Sequence, residues 1–424
     1  MEITCNKKKS IKKQSFERKT KKYLLLLGIL NEPLFAIFAI FPFILRKNLK
    51  ASLLQISIFT MIKPVMGIFS FYWSSNINKR TDKLRSNLIG SWFLGRICFL
   101  LFPFINNSWF LIFASGLYML FYRASTPALM EILKLNLKKE KRERAFSLFS
   151  SANFAVSIIL GFIIGLLLDA YPNSWKFLFF ISSLVGLISI SIQINIPIIG
   201  EISNFTYVKK NTSIIEKITT PWINCFALLK KNPAFYNFQK GFMLGGVGLM
   251  LIIPASIIFY ADILNIKYST MSNSKLIFMG IGFVLTTPIW RKLISKISIN
   301  NLTAYLCLGF GLFPYLLFLS KIYIEFLYIA FLFYGIVQSG SHLLWHLSGT
   351  LFSNKEENSI PYSTVNILMV GIRGAIAPLI SYVLCKSLGP SQVMLLGSIC
   401  CFIGFFIMKL YTNIEKSINQ SCLN

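Results

Sequence analysis

The chain has 424 residues, of which 55 % are hydrophobic, 15 % aromatic and only 14 % charged, with 40 Phe and a mean hydropathy of +0.63. Soluble domains carry about a quarter charged residues, so a soluble enzyme, a secreted disulfide scaffold and a disordered chain are all disfavoured, and the solvent for most of this surface is lipid. The 43 Lys and Arg against 15 Asp and Glu give a net charge of +28, which points to nucleic acid or to membrane topology according to where the charges sit.

The first 22 residues hold nine basic side chains, among them Lys7, Lys12, Arg18 and Lys22. This run has the look of an RNA-binding arm, but before an apolar stretch it reads as a cytoplasmic tail that orients the first helix. Crossing ~30 Å of hydrocarbon takes about 20 apolar residues, and twelve such runs follow in chain order. They cover 23–45, 52–74, 87–105, 109–133, 145–168, 177–199, 240–263, 274–290, 302–320, 325–349, 362–385 and 391–411. The first is too long for a signal-peptide core and has no small-residue cleavage site after it, so it is expected to be retained. An even number of spans places both termini on one side.

Lys and Arg accumulate in cytoplasmic segments. With the N-terminus inside, 31 of the 43 fall on the cytoplasmic side and 8 on the other, including Arg46, Lys47 and Lys275. Four lie within spans: Lys63, Arg96, Arg123 and Arg373. The imbalance makes both termini cytoplasmic, and the +28 is explained by topology and anionic lipid, with no nucleic acid partner.

The eight Cys form no C-x-x-C pair and have no His at metal spacing, so they read as reduced thiols in lipid-compatible positions, with no metal site. The longest connection, 200–239, is basic and polar and separates six spans from six. The expected organisation is a basic tail (1–22), an N-terminal six-helix bundle (23–199), a central cytoplasmic loop (200–239), a C-terminal six-helix bundle (240–411) and a cytoplasmic tail (412–424). The fold class is thus an all-α integral membrane protein with twelve transmembrane helices in two six-helix halves, a build shared by many secondary transporters. Span seven contains Gly241, Gly245, Gly246 and Gly248 ahead of Pro254. Inside an apolar run these mark a closely packed helix rather than a dinucleotide fingerprint.

Three stretches bear a family resemblance. YRASTPALMEILKLNLKKEKRERAF (122–146), GFIIGLLLD (161–169) and NILMVGIRGAIAPLISYVL (366–384) resemble the fourth span with its basic loop, the glycine-rich fifth span and the eleventh span of the major facilitator superfamily, in a bacterial branch. The resemblance covers residues 20–412. It implies two halves rocking about a midplane site and a monomer; no cofactor is expected, and the richness in Ile, Lys and Asn with short external loops fits a bacterial cytoplasmic membrane. It also assigns gating roles: Glu131 would meet the basic loop at Arg142 or Arg144, with Arg123 two turns above it. The loop after span two departs from the family pattern G-x-x-x-D-R-x-G-R-R. In SSNINKRTDKLR (74–85), Ser74, Asn78, Lys79 and Thr81 stand for the first Gly, the Asp, the Arg and the second Gly. Asn78 and Lys79 remain the gating candidates of this loop.

An ionisable group at mid-bilayer costs roughly 2.5–3.5 kcal/mol on insertion scales and is a functional candidate by default. At ~1.5 Å per residue, Glu32 lies about 13 Å into span one, Lys63 about 15 Å into span two and Arg373 about 16 Å into span eleven. Glu32, followed by Pro33, reads as a proton-coupling carboxylate or as the partner of a buried cation. Lys63 and Arg373 read as a positive cavity surface for an anionic group, or as a structural ion pair with Glu32. Gly371 and Gly374 flank Arg373 and allow a ligand or a helix to approach closely. Arg96 is expected to be structural, snorkelling towards the cytoplasmic face. His342 and His346, spaced i, i+4 without a third ligand, are no metal site. With Gln338 and Trp345 they make span ten a cavity wall, and His342 a potential proton relay.

No G-x-x-x-x-G-K-S/T loop is present, which disfavours ATP-driven transport by this chain. The expectation is a non-enzymatic secondary active transporter. Its partners are a small polar solute, leaning to an anionic or zwitterionic metabolite, a coupling proton or ion, and membrane lipid. The alternatives are a nucleotide or organic-phosphate exchanger, a polytopic membrane enzyme, and a transporter-derived sensor without flux.

Overall fold

The computed structural model describes residues 2–77, 83–137, 139–197, 213–294, 296–352 and 360–421, and among them no strand occurs. The helices in chain order are α1 (Glu2–Leu49), α2 (Leu53–Ile77), α3 (Leu84–Ile97), α4 (Ser108–Asn136), α5 (Lys139–Ala170), α6 (Trp175–Ile194) and α7 (Ile214–Lys231). They continue with α8 (Pro233–Ile258), α9 (Tyr268–Ser272), α10 (Met279–Ile294), α11 (Ile299–Leu319), α12 (Glu325–Phe352), α13 (Ile360–Leu388) and α14 (Pro390–Ser421).

Ten segments among the described residues are long and apolar enough to cross a membrane. The runs expected at 87–105 and 109–133 are not among them. The first of these splits into α3, of 14 residues, and a 3-10 turn at Cys98–Leu101. The second forms the single helix α4, whose 29 residues include Arg123 and Glu131. Two further differences concern the centre of the chain. The stretch read as a loop contains α7, and α8 begins at Pro233 rather than 240. The eighth run is longer than its apolar stretch: α9, a π-helical segment at Asn273–Phe278 and α10 follow one another without a break, so Lys275 sits inside the span Tyr268–Ile294 and not in an external loop.

Helix starts follow local chemistry. Asn107 caps α4 by accepting from the Trp109 amide at 2.8 Å, and Asn232 caps α8 through the Phe235 amide at 3.0 Å. Each cap satisfies a donor that has no partner within the helix. α1 passes through Pro33 without interruption.

The chain forms two compact units, one of Met1–Ala39 and Phe69–Lys210, the other of Ile40–Ile68 and Asn211–Asn424. The second unit therefore takes in the turn between α1 and α2. In the first, α3 packs on α4 and α6, and Leu84, Leu88, Ala128, Ile132 and Ile196 form an apolar cluster. In the second, α8 packs along α14, where Gly248 meets the Gly397 carbonyl and Cys401. A side chain at Gly248 would clash, and the small residues let the two backbones approach. The outward faces are apolar: Phe162, Phe177, Ile188, Val383 and Phe406 are each more than half exposed, as befits contact with lipid chains.

Candidate functional site

Polar side chains gather in each unit. In the first unit, Glu32 on α1 is buried, at 8 % exposure, beside Ser157 of α5. Its neighbour Asn31 accepts from Arg96 Nη2. Arg96 does not snorkel. It is 1 % exposed, its guanidinium lies 3.8 Å from the Trp92 ring centroid, and Nη1 donates to the Trp92 carbonyl at 3.1 Å. Trp92 Nε1 in turn donates to the Gly186 carbonyl at 3.0 Å and to Ser189 at 2.9 Å. Among the described residues, stacking and dipoles thus stand in for a carboxylate counter-charge around this arginine. Tyr118 and Tyr122 on α4 stack with centroids 6.0 Å apart, and Phe35 sits edge-on to Tyr122 at 4.9 Å.

Of the gating candidates, Arg123 is half-buried with Nε lacking a hydrogen-bond partner. Glu131 pairs with Lys134, one turn along its own helix, at 3.2 Å. The side chains of Arg142, Arg144 and His346, and the whole of Asn78, Lys79 and Thr81, lie outside the described residues. The basic stretch expected as a loop is largely helical, since α4 runs to Asn136 and α5 starts at Lys139, and near the start of α5 Lys141 Nζ lies 2.7 Å from the Glu17 carboxylate.

In the second unit, Arg373 is buried at 8 % exposure. Its Nη1 donates to the Phe242 carbonyl and its guanidinium lies 4.3 Å from the Phe242 centroid. It packs directly on Gly246, where any side chain would displace it. No carboxylate pairs with it among the described residues, and Nε has no hydrogen-bond partner. Phe242 stacks on Trp345 of α12 with centroids 6.2 Å apart, and on Phe238 at 5.4 Å. Close by in sequence, Gln239 donates to Asn366, both almost fully buried. The carboxamide oxygen of Gln338 on α12 is buried without a partner. His342 is exposed and meets the Phe283 ring edge-on at 5.7 Å. Lys63 is exposed on α2, and the next residue, Pro64, packs on Gly374 while Ile68 packs on Gly371. The two glycines beside Arg373 thus admit a helix.

The sequence reading missed Gln239, Phe242, Asn366, Asn31 and Ser157. Asn366 opens the stretch 366–384 and Phe242 follows Gly241 in span seven, but a polar or aromatic residue in a span has no signal of its own until the facing helix is known. No group of three or more His, Cys, Asp or Glu that could hold a metal ion occurs among the described residues.

The Major Facilitator Superfamily profile matches residues 25–378. The chain belongs to this superfamily. It is a membrane transport protein, not an enzyme. Solved structures of similar fold include a point mutant of the nucleoside transporter NupG, with a TM-score of 0.73 at 14 % identity over 92 % of this chain and 99 % of that one. A POT family transporter in complex with 5-aminolevulinic acid gives 0.70 at 14 % identity, over 92 % and 95 %. A peptide transporter POT in complex with sulfate gives 0.70 at 13 % identity, over 96 % and 99 %. At such identities the likeness concerns the fold alone. No curated protein sequence matches the chain.

Proposed function

We propose that this superfamily member is a secondary active transporter that moves a small polar solute, anionic or zwitterionic, across a bacterial cytoplasmic membrane by alternating access. It has twelve spans in two six-helix halves, with bundles at 23–199 and 240–411 and both termini cytoplasmic. The observation behind the charge preference is Arg373: a buried guanidinium with no paired carboxylate among the described residues and an unsatisfied Nε. An uncompensated cation in a low-dielectric interior is costly, and an anionic ligand group would lower that cost. Gln338, with its unpartnered carboxamide oxygen, would take a donor of the same ligand, with Lys63 and His342 as further contacts. Glu32, buried on Ser157, is the coupling carboxylate of the other unit. Arg123, Glu131 and the basic stretch with Arg144, together with Asn78 and Lys79, regulate access from the cytoplasm.

A second reading, an exchanger of nucleotides or organic phosphates, is favoured by the Phe242–Trp345 stack beside Arg373. Aromatic faces next to a cation suit a planar base joined to a phosphate. Strict exchange that persists after the proton gradient collapses distinguishes it.

The test is a thermal-shift screen of the purified protein in detergent against anionic, zwitterionic, neutral and cationic metabolites. A ligand at 100 times its dissociation constant adds about 2.7 kcal/mol to the folded state. Stabilisation by anionic solutes that disappears in Arg373→Ala supports the reading. Stabilisation by neutral or cationic solutes alone overturns the charge preference.

A further inference from the structure

α7 is not one of the ten segments suited to cross a membrane, yet it exposes large apolar side chains. Ile215 is 72 % exposed, Ile223 64 % and Phe226 53 %. At 100° per residue these three fall within one arc of about 80°. An adjoining arc is buried against protein in the C-terminal half of the helix, where Cys225 is 2 % and Leu229 9 % exposed and the helix packs on α13 and α8; Ile218, on the same arc nearer the start, is 51 % exposed. Asn224, Lys231 and Glu216 occupy the remaining, exposed circumference.

We propose that α7 lies in the membrane–water interface, with Ile215, Ile223 and Phe226 at the boundary of the acyl chains and Lys230 and Lys231 on anionic lipid headgroups. Three observations favour lipid as the occupant. First, one residue, Asn232, separates the end of α7 from the start of α8, a segment long and apolar enough to span the membrane, which holds the C-terminal end of α7 at the bilayer surface. Second, the charges fit: Lys230 and Lys231 in the last turn and Lys240, one helix on, are basic, against Glu216 at the far end. Basic residues near a bilayer surface are attracted to anionic headgroups. Lys240 stacks over Tyr236 at 4.3 Å and faces Tyr411 at 5.9 Å, an aromatic and basic combination typical of an interfacial zone. Third, the threonine hydroxyls in and near the apolar arc are internally satisfied, and the one charge within the arc, Lys230, is in the last turn, at the end held at the bilayer surface. Thr219 donates to the Ile215 carbonyl at 2.9 Å and Thr220 to the Glu216 carbonyl at 2.6 Å, so neither hydroxyl needs water. A helix with these properties rests in the headgroup region and does not cross it. The leaflet, cytoplasmic, rests on the topology proposed above.

The test uses spin labels in the full-length protein, with its native cysteines replaced, in proteoliposomes containing phosphatidylglycerol. Labels go on Phe226→Cys and, on the polar side, Asn224→Cys. The expected result is a Phe226 site accessible to oxygen and shielded from a water-soluble nickel chelate, with the Asn224 site reversed. A Phe226 site open to the nickel chelate overturns the proposal, and so does one closed to both probes, which would mean a protein cover. Lys230→Glu with Lys231→Glu should raise nickel access at the Phe226 site severalfold in anionic vesicles and leave it unchanged in phosphatidylcholine; an unchanged value in both removes the headgroup contact. An impermeant maleimide on Asn224→Cys reads the leaflet separately, so labelling from the outside would overturn the topology while leaving the interfacial placement standing.

Discussion

Arg46 Nε stands 3.0 and 3.1 Å from the two carboxylate oxygens of Asp262, and this fork ties the end of α1 to the π-helical turn that follows α8. Around it, Arg46 Nη1 donates to the Ala51 carbonyl at 2.8 Å, Lys47 to the Ile266 carbonyl, and Tyr268 to Asn48. The turn between α1 and α2 is thereby fastened to the connection between α8 and α9.

Both members of the pair are partly exposed, 26 % for Arg46 and 38 % for Asp262, so its contribution to stability is small, about 1 kcal/mol or less. Its effect should appear in access instead. Asp262→Asn is expected to increase labelling of a cysteine at Asn48 by an impermeant maleimide severalfold with little change in melting temperature, and the exchange Arg46→Asp with Asp262→Arg to bring labelling back down. Equal labelling in all three would show that the fork closes nothing.

Arg96 should behave as a structural residue. Arg96→Met keeps the stem but leaves Asn31 without its donor and takes from the Trp92 carbonyl its second one, at a cost of about 2–3 kcal/mol. Gly186→Ala should be comparably damaging, because the new methyl carbon would stand 2.6 Å from Arg96 Nε. Melting in detergent checks both. A near-native melting temperature for Arg96→Met would mean that the site tolerates loss of the charge.

Glu32→Gln preserves shape and the contact with Ser157 but removes the titratable proton. Uptake driven by an imposed pH gradient is expected to fall to background, while counterflow of the same solute continues. Loss of both activities would instead assign Glu32 to solute binding or folding.

Arg373 can be displaced without being replaced. Gly246→Ala puts a methyl group where the guanidinium now packs, and it should weaken stabilisation by an anionic solute at least tenfold, as Arg373→Ala does. Arg373→Lys, which keeps the charge but loses the fork, should fall between. Isothermal titration with the solute identified by thermal shift measures all three.

Burial pushes the Cys225 thiol up to about 11, from an ordinary value near 8.5. The reactive thiolate is therefore scarce from pH 7 to 9 and increases only as pH rises towards that value. Alkylation of the peptide containing Cys225 should be slow at pH 8. Leu229→Glu, which undermines the face of α7 docked on the bundle, should speed it at least tenfold, as followed by mass spectrometry.

Where α11, α12, α13 and α14 run was legible from apolar runs of bilayer length, because hydrophobic length is a property of the chain itself. The family was legible because its marks are short local stretches, in α4, α5 and α13. α7 escaped because Thr219, Thr220 and Pro221 interrupt a short apolar arc inside a polar connection, and the break at Cys98–Leu101 escaped because apolarity does not distinguish one long helix from a helix followed by a tight turn. Depth along a helix could be counted for Lys63, Arg96 and Arg373, but the direction each side chain takes around its axis could not. That direction puts Lys63 in the open, Arg96 on Trp92 and Arg373 on Phe242 and Gly246.

By itself, then, the sequence determined the solvent, ten of the apolar segments of bilayer length, the uneven distribution of charge and the superfamily, all of which depend on composition and on order along one chain. Tertiary structure alone decided which polar groups meet: Arg46 with Asp262, Arg96 with Asn31, Gln239 with Asn366. These partners are 216, 65 and 127 residues apart, and no local periodicity links them. In a low-dielectric interior each such group must find a partner or remain costly, and only the packing of whole helices determines which partner is within reach.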